Sequence, residues 1–375
     1  MIFSDGVLRN EEKAIYSLRE LYSSFGYSQY KVGRFEEYDL YAYNKSFLVS
    51  ENILSFTDTN GKLMALKPDV TLSIVKNISS DDKSTHKLYY NENVYRTSAE
   101  SHGFKEIMQT GLECVGTIDK VAESEVVLLA AKSLEKISDD YILDVSHMGL
   151  VEGLLDAAGF EDGERDAVLG FIKSKNVTAI RRLALSFGKQ GDAIDIICEM
   201  TESYMPLVTA LESIRRIAKQ GKMYDAYTEL CGICDVLSLY GVSARTYFDF
   251  SVMNDCNYYD GIIFKGFING VPDSILSGGR YDRLLAKMGK NCGAIGFAVY
   301  LDRLERFGTD TRKYDTDVLF LYDEDSDAVE IARSVKTLTE TGKTVMTART
   351  VQTGVRYRQL VKLVNGGIEI LEAND

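Results

Sequence analysis

Two groups of side chains in this sequence could do chemistry with a ligand, and the first has the make-up to receive an ammonium. In Leu66-Lys67-Pro68-Asp69-Val70-Thr71 a carboxylate and a hydroxyl stand two apart just after a proline, at a strand-to-helix junction. Both can accept from an ammonium, which has three donors and no acceptor. Downstream, Gln109 and Glu113 lie four apart in Gln109-Thr110-Gly111-Leu112-Glu113. That stretch reads as strand, so both project from one face and require polar partners there. A plainer reading stays open beside this one, in which Asp69 caps its helix and Glu113 makes a structural ion pair.

The second group begins at Asn257-Tyr258-Tyr259-Asp260. Adjacent tyrosines on a strand face opposite sides, so only one of them is expected to line a given pocket. Ser277-Gly278-Gly279-Arg280-Tyr281-Asp282 then ends a strand and starts a helix, and paired glycines there let backbone approach a ligand closely. Gly296-Phe297-Ala298-Val299-Tyr300-Leu301-Asp302-Arg303 follows. Other chemistries find less support. Cys231-Gly232-Ile233-Cys234 has a spacing that suits redox or zinc chemistry, but it reads as mid-helix and lacks the second pair a tetrahedral site needs. His86, His102 and His147 are far apart, and no Walker-type phosphate loop is present. No catalytic residue, metal site or cofactor is assigned.

Helical periodicity over 11–26 places Ile15, Leu18, Leu21 and Tyr22 on one face, with Gly26 as the stop. Val49 to Phe56 and Leu63 to Leu66 read as strands about an Asn60-Gly61 turn. Pro68 opens a helix over Asp69 to Asn77. Residues 87–96 and 104–116 read as strands, Ala122 to Ile137 as a helix and Tyr141 to Val145 as a strand. Between about 148 and 240 the pattern is almost continuous helix, an inserted helical subdomain. Strands are expected at 246–253, 258–268, 273–277 and 293–299, with helices at 281–288 and 300–307. A polar linker precedes a small α/β unit with strands Asp317 to Tyr322, Thr344 to Thr347 and Ile368 to Leu371, and helices Ser326 to Thr341 and Val355 to Asn365. The fold class is α+β, a mostly antiparallel sheet with flanking helices.

The chain's 375 residues carry 43 Lys plus Arg against 56 Asp plus Glu, a net charge of −13. Nucleic-acid binding draws on a basic face, and no Lys/Arg cluster in the sequence offers one. No run of about 18 apolar residues suggests a membrane span. The N-terminus has no secretory pattern, and six scattered cysteines read as reduced thiols. A cytoplasmic protein is expected.

In order and spacing, these motifs resemble the core of histidyl-tRNA synthetase, over residues 1 to about 308. They are more closely similar to its non-catalytic relatives, the regulatory subunits of ATP phosphoribosyltransferase. The resemblance implies a class II aminoacyl-tRNA synthetase-like antiparallel sheet, interrupted by the helical insertion at about 148–240. It also implies that 313–375 is a truncated anticodon-binding-like unit. By the resemblance, Asp69, Thr71 and Gln109 hold the amino group of histidine, and Glu113, Tyr259 and Tyr281 read its imidazole. Arg96 and Arg303 are residual nucleotide-site arginines. The departures lie in the catalytic parts. Asn254 stands where the synthetases carry an arginine, and the loop after Arg96 runs Thr97-Ser98-Ala99-Glu100-Ser101-His102-Gly103, without the usual basic residues.

The implied role is a non-catalytic subunit that activates a short-form catalytic subunit of ATP phosphoribosyltransferase. It would mediate feedback inhibition by histidine in the first step of histidine biosynthesis. Implied assemblies are a self-dimer and a hetero-octamer with the catalytic subunit; a membrane is not an expected partner, and the acidic charge balance argues against tRNA. The alternatives are a divergent histidyl-tRNA synthetase and a free-standing histidine-binding module.

Overall fold

The computed structural model describes residues 8–48, 52–78, 84–97, 103–253, 258–304, 313–364 and 367–374. Chain contacts separate one compact unit, Leu8–Phe307, from another containing Gly308–Asp375. Asn254 and most of the loop after Arg96 lie outside the described residues, as do 49–51 and the end of the helix expected at 300–307.

The larger unit is built on a nine-stranded sheet. Its strands, with those of a small three-stranded sheet, are β1 (Ser28–Gln29), β2 (Phe35–Glu37), β3 (Ser55–Thr57), β4 (Leu63–Leu66), β5 (His86–Thr97), β6 (Phe104–Gly116), β7 (Tyr141–His147), β8 (Tyr204–Pro206), β9 (Thr246–Asp249), β10 (Ile262–Ile268), β11 (Leu276–Arg280) and β12 (Gly293–Tyr300). The large sheet runs β1-β5-β6-β12-β11-β10-β7-β9-β8, and β2, β4 and β3 form the small one. Pairing is antiparallel except at β1/β5 and β7/β9. Its helices are α1 (Asn10–Ser24), α2 (Tyr38–Ala42), α3 (Thr71–Asn77), α4 (Lys120–Ile137), α5 (Met148–Ala157), α6 (Asp162–Lys173), α7 (Val177–Ser186), α8 (Asp192–Glu202), α9 (Leu207–Ile217), α10 (Gly221–Leu239) and α11 (Asp282–Lys287).

The two faces of the large sheet have different coverings. One packs against α1, α4 and the helices that follow β7. Asp119 caps α4 by accepting from the backbone N–H groups of Val121 and Ala122. The helix then buries Val126, Val127, Leu128, Leu129 and Leu134. At roughly 1.5–3 kcal/mol for each such side chain, this burial outweighs any propensity difference along the helix. The other face carries a separate apolar cluster that includes Tyr41, Val70, Tyr90, Tyr281 and Leu284. The cavity described below opens within that cluster. Among the described residues, no helix is long and apolar enough to cross a membrane.

The remaining unit has strands β13 (Thr316–Leu321), β14 (Val345–Ala348), β15 (Tyr357–Val364) and β16 (Gly367–Ala373) with helix α12 (Ala328–Glu340). The sheet order is β14-β13-β15-β16. Here the sequence expectation fails, because Val355 to Asn365 was read as a helix and its core is strand β15. A register shift at Leu360/Val361 breaks the two-residue alternation that marks a strand. Leu360 is buried in one apolar cluster, Val361 and Leu363 in another. Such an apolar run, buried from both sides, mimics a helix.

Candidate functional site

Segment 67–71 is fixed from below before it offers any side chain to a ligand. The Lys67 ammonium is fully buried and pairs with Glu92 at 2.7 Å. The backbone N–H of Tyr95 donates to the Lys67 carbonyl at 2.9 Å. Arg96 Nε donates to the Pro68 carbonyl at 3.1 Å. Asp69 Oδ1 then accepts from the backbone N–H of Leu72 at 2.9 Å, so the plainer reading of Asp69 as a helix-start acceptor holds. Asp69 also lines the cavity. Burial pushes its carboxyl above the usual range, with the Leu72 bond and Arg96 opposing.

Glu113 is the centre of the site. It is 2% exposed, on β6. Thr71 Oγ1 donates to its Oε1 at 2.6 Å, and the Tyr281 hydroxyl donates to its Oε2. Among the described residues no cation bonds to it, so the plainer reading of a structural ion pair does not describe it there. Burial pushes its carboxyl up to about 8 against these two bonds, and the nearby Asp69 adds to the rise. A buried acid in that state suits a ligand that can share a proton. Gln109 stands four residues away, 3% exposed, and its Nε2 is a buried donor with no partner among the described residues. A donor left unsatisfied in an otherwise bonded wall favours an acceptor from a ligand.

The floor is sheet backbone. Across the strands, Glu113 pairs with Gly296 and Gly296 with Gly279. A Cβ on Gly296 would collide with the Glu113 carboxylate and lie 2.5 Å from the Leu112 carbonyl. One on Gly279 would lie 2.6 Å from the Ile262 carbonyl and 2.7 Å from the Tyr259 ring. Glycine is needed here for approach, and the two positions admit the acid and the ring respectively.

The tyrosine pair corrects a sequence expectation. Residues 258–260 are not strand, and β10 begins only at Ile262. The Asp260 carboxylate accepts from the backbone N–H groups of Asp282 and Arg283 at 3.1 and 2.7 Å. That anchor holds segment 258–260 beside the start of α11. Both Tyr258 and Tyr259 therefore line the cavity, their rings 4.6 Å apart and edge to face. Tyr258 also lies 5.5 Å from the Tyr281 ring.

The resulting cavity is about 260 Å³. Asp69, Thr71, Gln109, Glu113, Tyr259 and Tyr281 all line it, and Arg96 and Arg303 do too. Arg303, in a short turn at Leu301–Arg303, donates to the Ser274 carbonyl and lies 4.5 Å over the Tyr300 ring. The sequence reading missed Phe47, Tyr90, Lys173, Tyr258, Lys265 and Tyr300. Of these, only Tyr258 and Tyr300 fall inside quoted motifs. Cys231 and Cys234 lie within α10, with Cys234 buried in the core. Among the described residues, no group of three or more His, Cys, Asp or Glu side chains could hold a metal.

Comparison with known proteins agrees with this architecture. Residues 6–304 match the histidyl-tRNA synthetase family. The fold is that of an ATP phosphoribosyltransferase regulatory subunit/histidyl-tRNA synthetase from Bacillus halodurans, with a TM-score of 0.75 and 22% identity over 96% of this chain and 98% of that one. The large sheet with its flanking helices is thus a class II synthetase-like fold, as expected. An ATP phosphoribosyltransferase regulatory subunit from Thermoanaerobacter sp. (strain X514) is 30% identical over 296 residues, 76% of this chain and 75% of that protein. A chain of the ATP phosphoribosyl transferase (HisG:HisZ) complex from Thermotoga maritima aligns with a TM-score of 0.62 and 19% identity, over 78% of this chain and 97% of that one. The chain belongs to the histidyl-tRNA synthetase family and, within it, to the ATP phosphoribosyltransferase regulatory subunits.

Proposed function

We propose that this protein is the non-catalytic regulatory subunit of ATP phosphoribosyltransferase, that a short-form catalytic subunit requires it for activity, and that it transmits feedback inhibition by histidine. The observation that carries the reading is Glu113, a buried acid held by Thr71 and Tyr281 in a cavity shared with Asp69. Asp69, Thr71 and the Gln109 carbonyl receive the effector's ammonium. Glu113, Tyr259 and Tyr281 read its imidazole. Feedback requires histidine to bind two states of the assembly with different affinity. The protein would act in the cytoplasm, as a self-dimer joined to the catalytic subunit in a hetero-octamer, with 313–375 a shortened anticodon-binding-like unit.

The test is reconstitution with the catalytic subunit. Phosphoribosyl transfer should appear only when both chains are present, and histidine should suppress it. Full activity of the catalytic chain alone, unchanged by this protein, would overturn the proposal. The retained Arg96 and Arg303 in the cavity favour a second reading, a divergent histidyl-tRNA synthetase. Pyrophosphate exchange that depends on histidine and ATP would support that reading instead.

A further inference from the structure

One end of the cavity carries two lysine ammonium groups, with the Asp144 and Asp249 carboxylates nearby but not bonded to either of them. Lys265 projects from β10 onto the face that bears Ser277 and Ala298, its neighbours in register on β11 and β12. Lys173 is the last residue of α6 and reaches the same cavity from the helical segment. Among the described residues, neither lysine makes a hydrogen bond or an ion pair.

The surrounding charges are already engaged. Arg303 is bonded to the Ser274 carbonyl and stacked on Tyr300. Arg96 is bonded to the Pro68 carbonyl beside Asp69. Asp144, opposite Lys265 in register, accepts from the Tyr204 hydroxyl at 3.0 Å. Asp249 pairs with Lys175 at 2.8 Å. Burial first and then the like charge of Lys173 hold the Lys265 ammonium below its usual range, with Arg303 adding to the fall and Asp249 and Asp144 opposing it. Two unpaired cations held together in this way are stabilised by an incoming anion.

The placement of Lys173 is also enforced. Lys175, two residues on, is the one non-glycine residue among those described with positive φ, at 51°. Such a conformation costs on the order of 1–3 kcal/mol and persists only where the surroundings impose it. The positive φ belongs to the turn that ends α6, in which the Lys175 N–H donates to the Ile172 carbonyl at 2.9 Å and the Asn176 N–H to the Phe171 carbonyl at 2.8 Å, and the Asp249 pair ties that turn to the sheet.

We infer that Lys173 and Lys265 form an oxyanion subsite of this cavity and that it takes the α-carboxylate of the amino-acid effector. The inference rests on the functional reading above and adds to it the group that distinguishes an amino acid from an amine or an alcohol. Two observations favour the effector's own carboxylate over a separate phosphate. The volume of about 260 Å³ is below the roughly 300–1,000 Å³ usual for drug-sized ligands, which suits one small molecule rather than two. Lys265 also lies three strands from β6, about 14 Å between strands at the usual spacing, in register with Gly111, two residues along from Glu113. An extended ligand, ring at one end and carboxylate at the other, suits that separation.

The test is titration calorimetry on the full chain with histidine, histidinol and inorganic phosphate. It compares wild type, Lys265→Met, Lys173→Met and Lys265→Arg, with Glu113→Gln as a control for the ring end. Methionine keeps much of the apolar stem, and circular dichroism checks the fold of each variant. Wild type should bind histidine at least about tenfold more tightly than histidinol, as a charge-assisted bond requires. That ratio should collapse in Lys265→Met, fall in Lys173→Met and recover in Lys265→Arg. Histidine binding that depends on Glu113, with the ratio unchanged in both methionine variants, would overturn this inference alone. Phosphate binding lost in the methionine variants, with the ratio unchanged, would overturn it in favour of a separate phosphate site. Absence of histidine binding in wild type would overturn the functional reading and this inference with it.

Discussion

At the scale of the residue, the proposed function makes Glu113 the group that should set both the affinity for histidine and its pH dependence. Its two donors, Thr71 and Tyr281, suit an ionised carboxylate, while burial holds the carboxyl at about 8 in the free protein. Glu113→Gln keeps the shape and removes the charge, so histidine binding should weaken by about 1.5–3 kcal/mol in calorimetry. Equal affinities would make Glu113 structural. The pH profile follows from counting protons. Between about pH 6.5, where free imidazole titrates, and about 8, the separate partners together carry the one proton the complex needs, and affinity should be flat. Below that window binding must release a proton, so affinity falls as pH falls. Above it binding must take one up, so affinity falls as pH rises. Glu113→Gln should flatten the alkaline limb, and an unchanged limb would mean that another group sets it.

Much of this was legible in the sequence, because Asp69, Thr71, Gln109 and Glu113 lie in two short strings with regular spacing. Tyr258 was excluded by assuming that the strand included residues 258–260, where Asp260 instead bonds backbone across to α11. Lys173 and Lys265 could not be paired from spacing at all. They come from segments 92 positions apart in numbering, and only the docking of α6 against the sheet joins them.

At the scale of the element, the floor of the site is a row of strands with no side chains in the way. Gly296→Ala puts a methyl group against the Glu113 carboxylate and the Leu112 carbonyl. Backbone on one side leaves no room to yield, so the change should cost roughly 1–3 kcal/mol of stability and abolish histidine binding. Denaturant unfolding beside calorimetry checks both, and a variant that binds normally would show that the strands can separate at little cost. Strands β5 and β6 were legible because they are long, with a polar loop between them. Strand β15 was not, because its register shift interrupts the alternation by which strands are recognised.

At the scale of the whole molecule, the protein should show no aminoacylation and no phosphoribosyl transfer alone. Asn254→Arg should not restore histidyl-adenylate formation, because the loop after Arg96 would still lack its basic residues. Substantial adenylate from this single variant would contradict the account of what separates this chain from the synthetases. The expectation comes from the sequence of two segments outside the described residues, so it depends on residue chemistry and not on their geometry.

Back to back with Glu113, on the opposite face of β6, sits Cys114. It is fully buried, and burial pushes its thiol up to about 11. Neither accessibility nor thiolate content allows an alkylating reagent to reach it in the closed protein. Its modification is therefore a clock for transient opening of the strand that bears Gln109 and Glu113. A bound effector bridging that strand to its neighbours should slow the clock, with mass spectrometry reading the label at this one cysteine. Occupancy of the cavity would then be recorded by a sulfur atom that never touches the ligand.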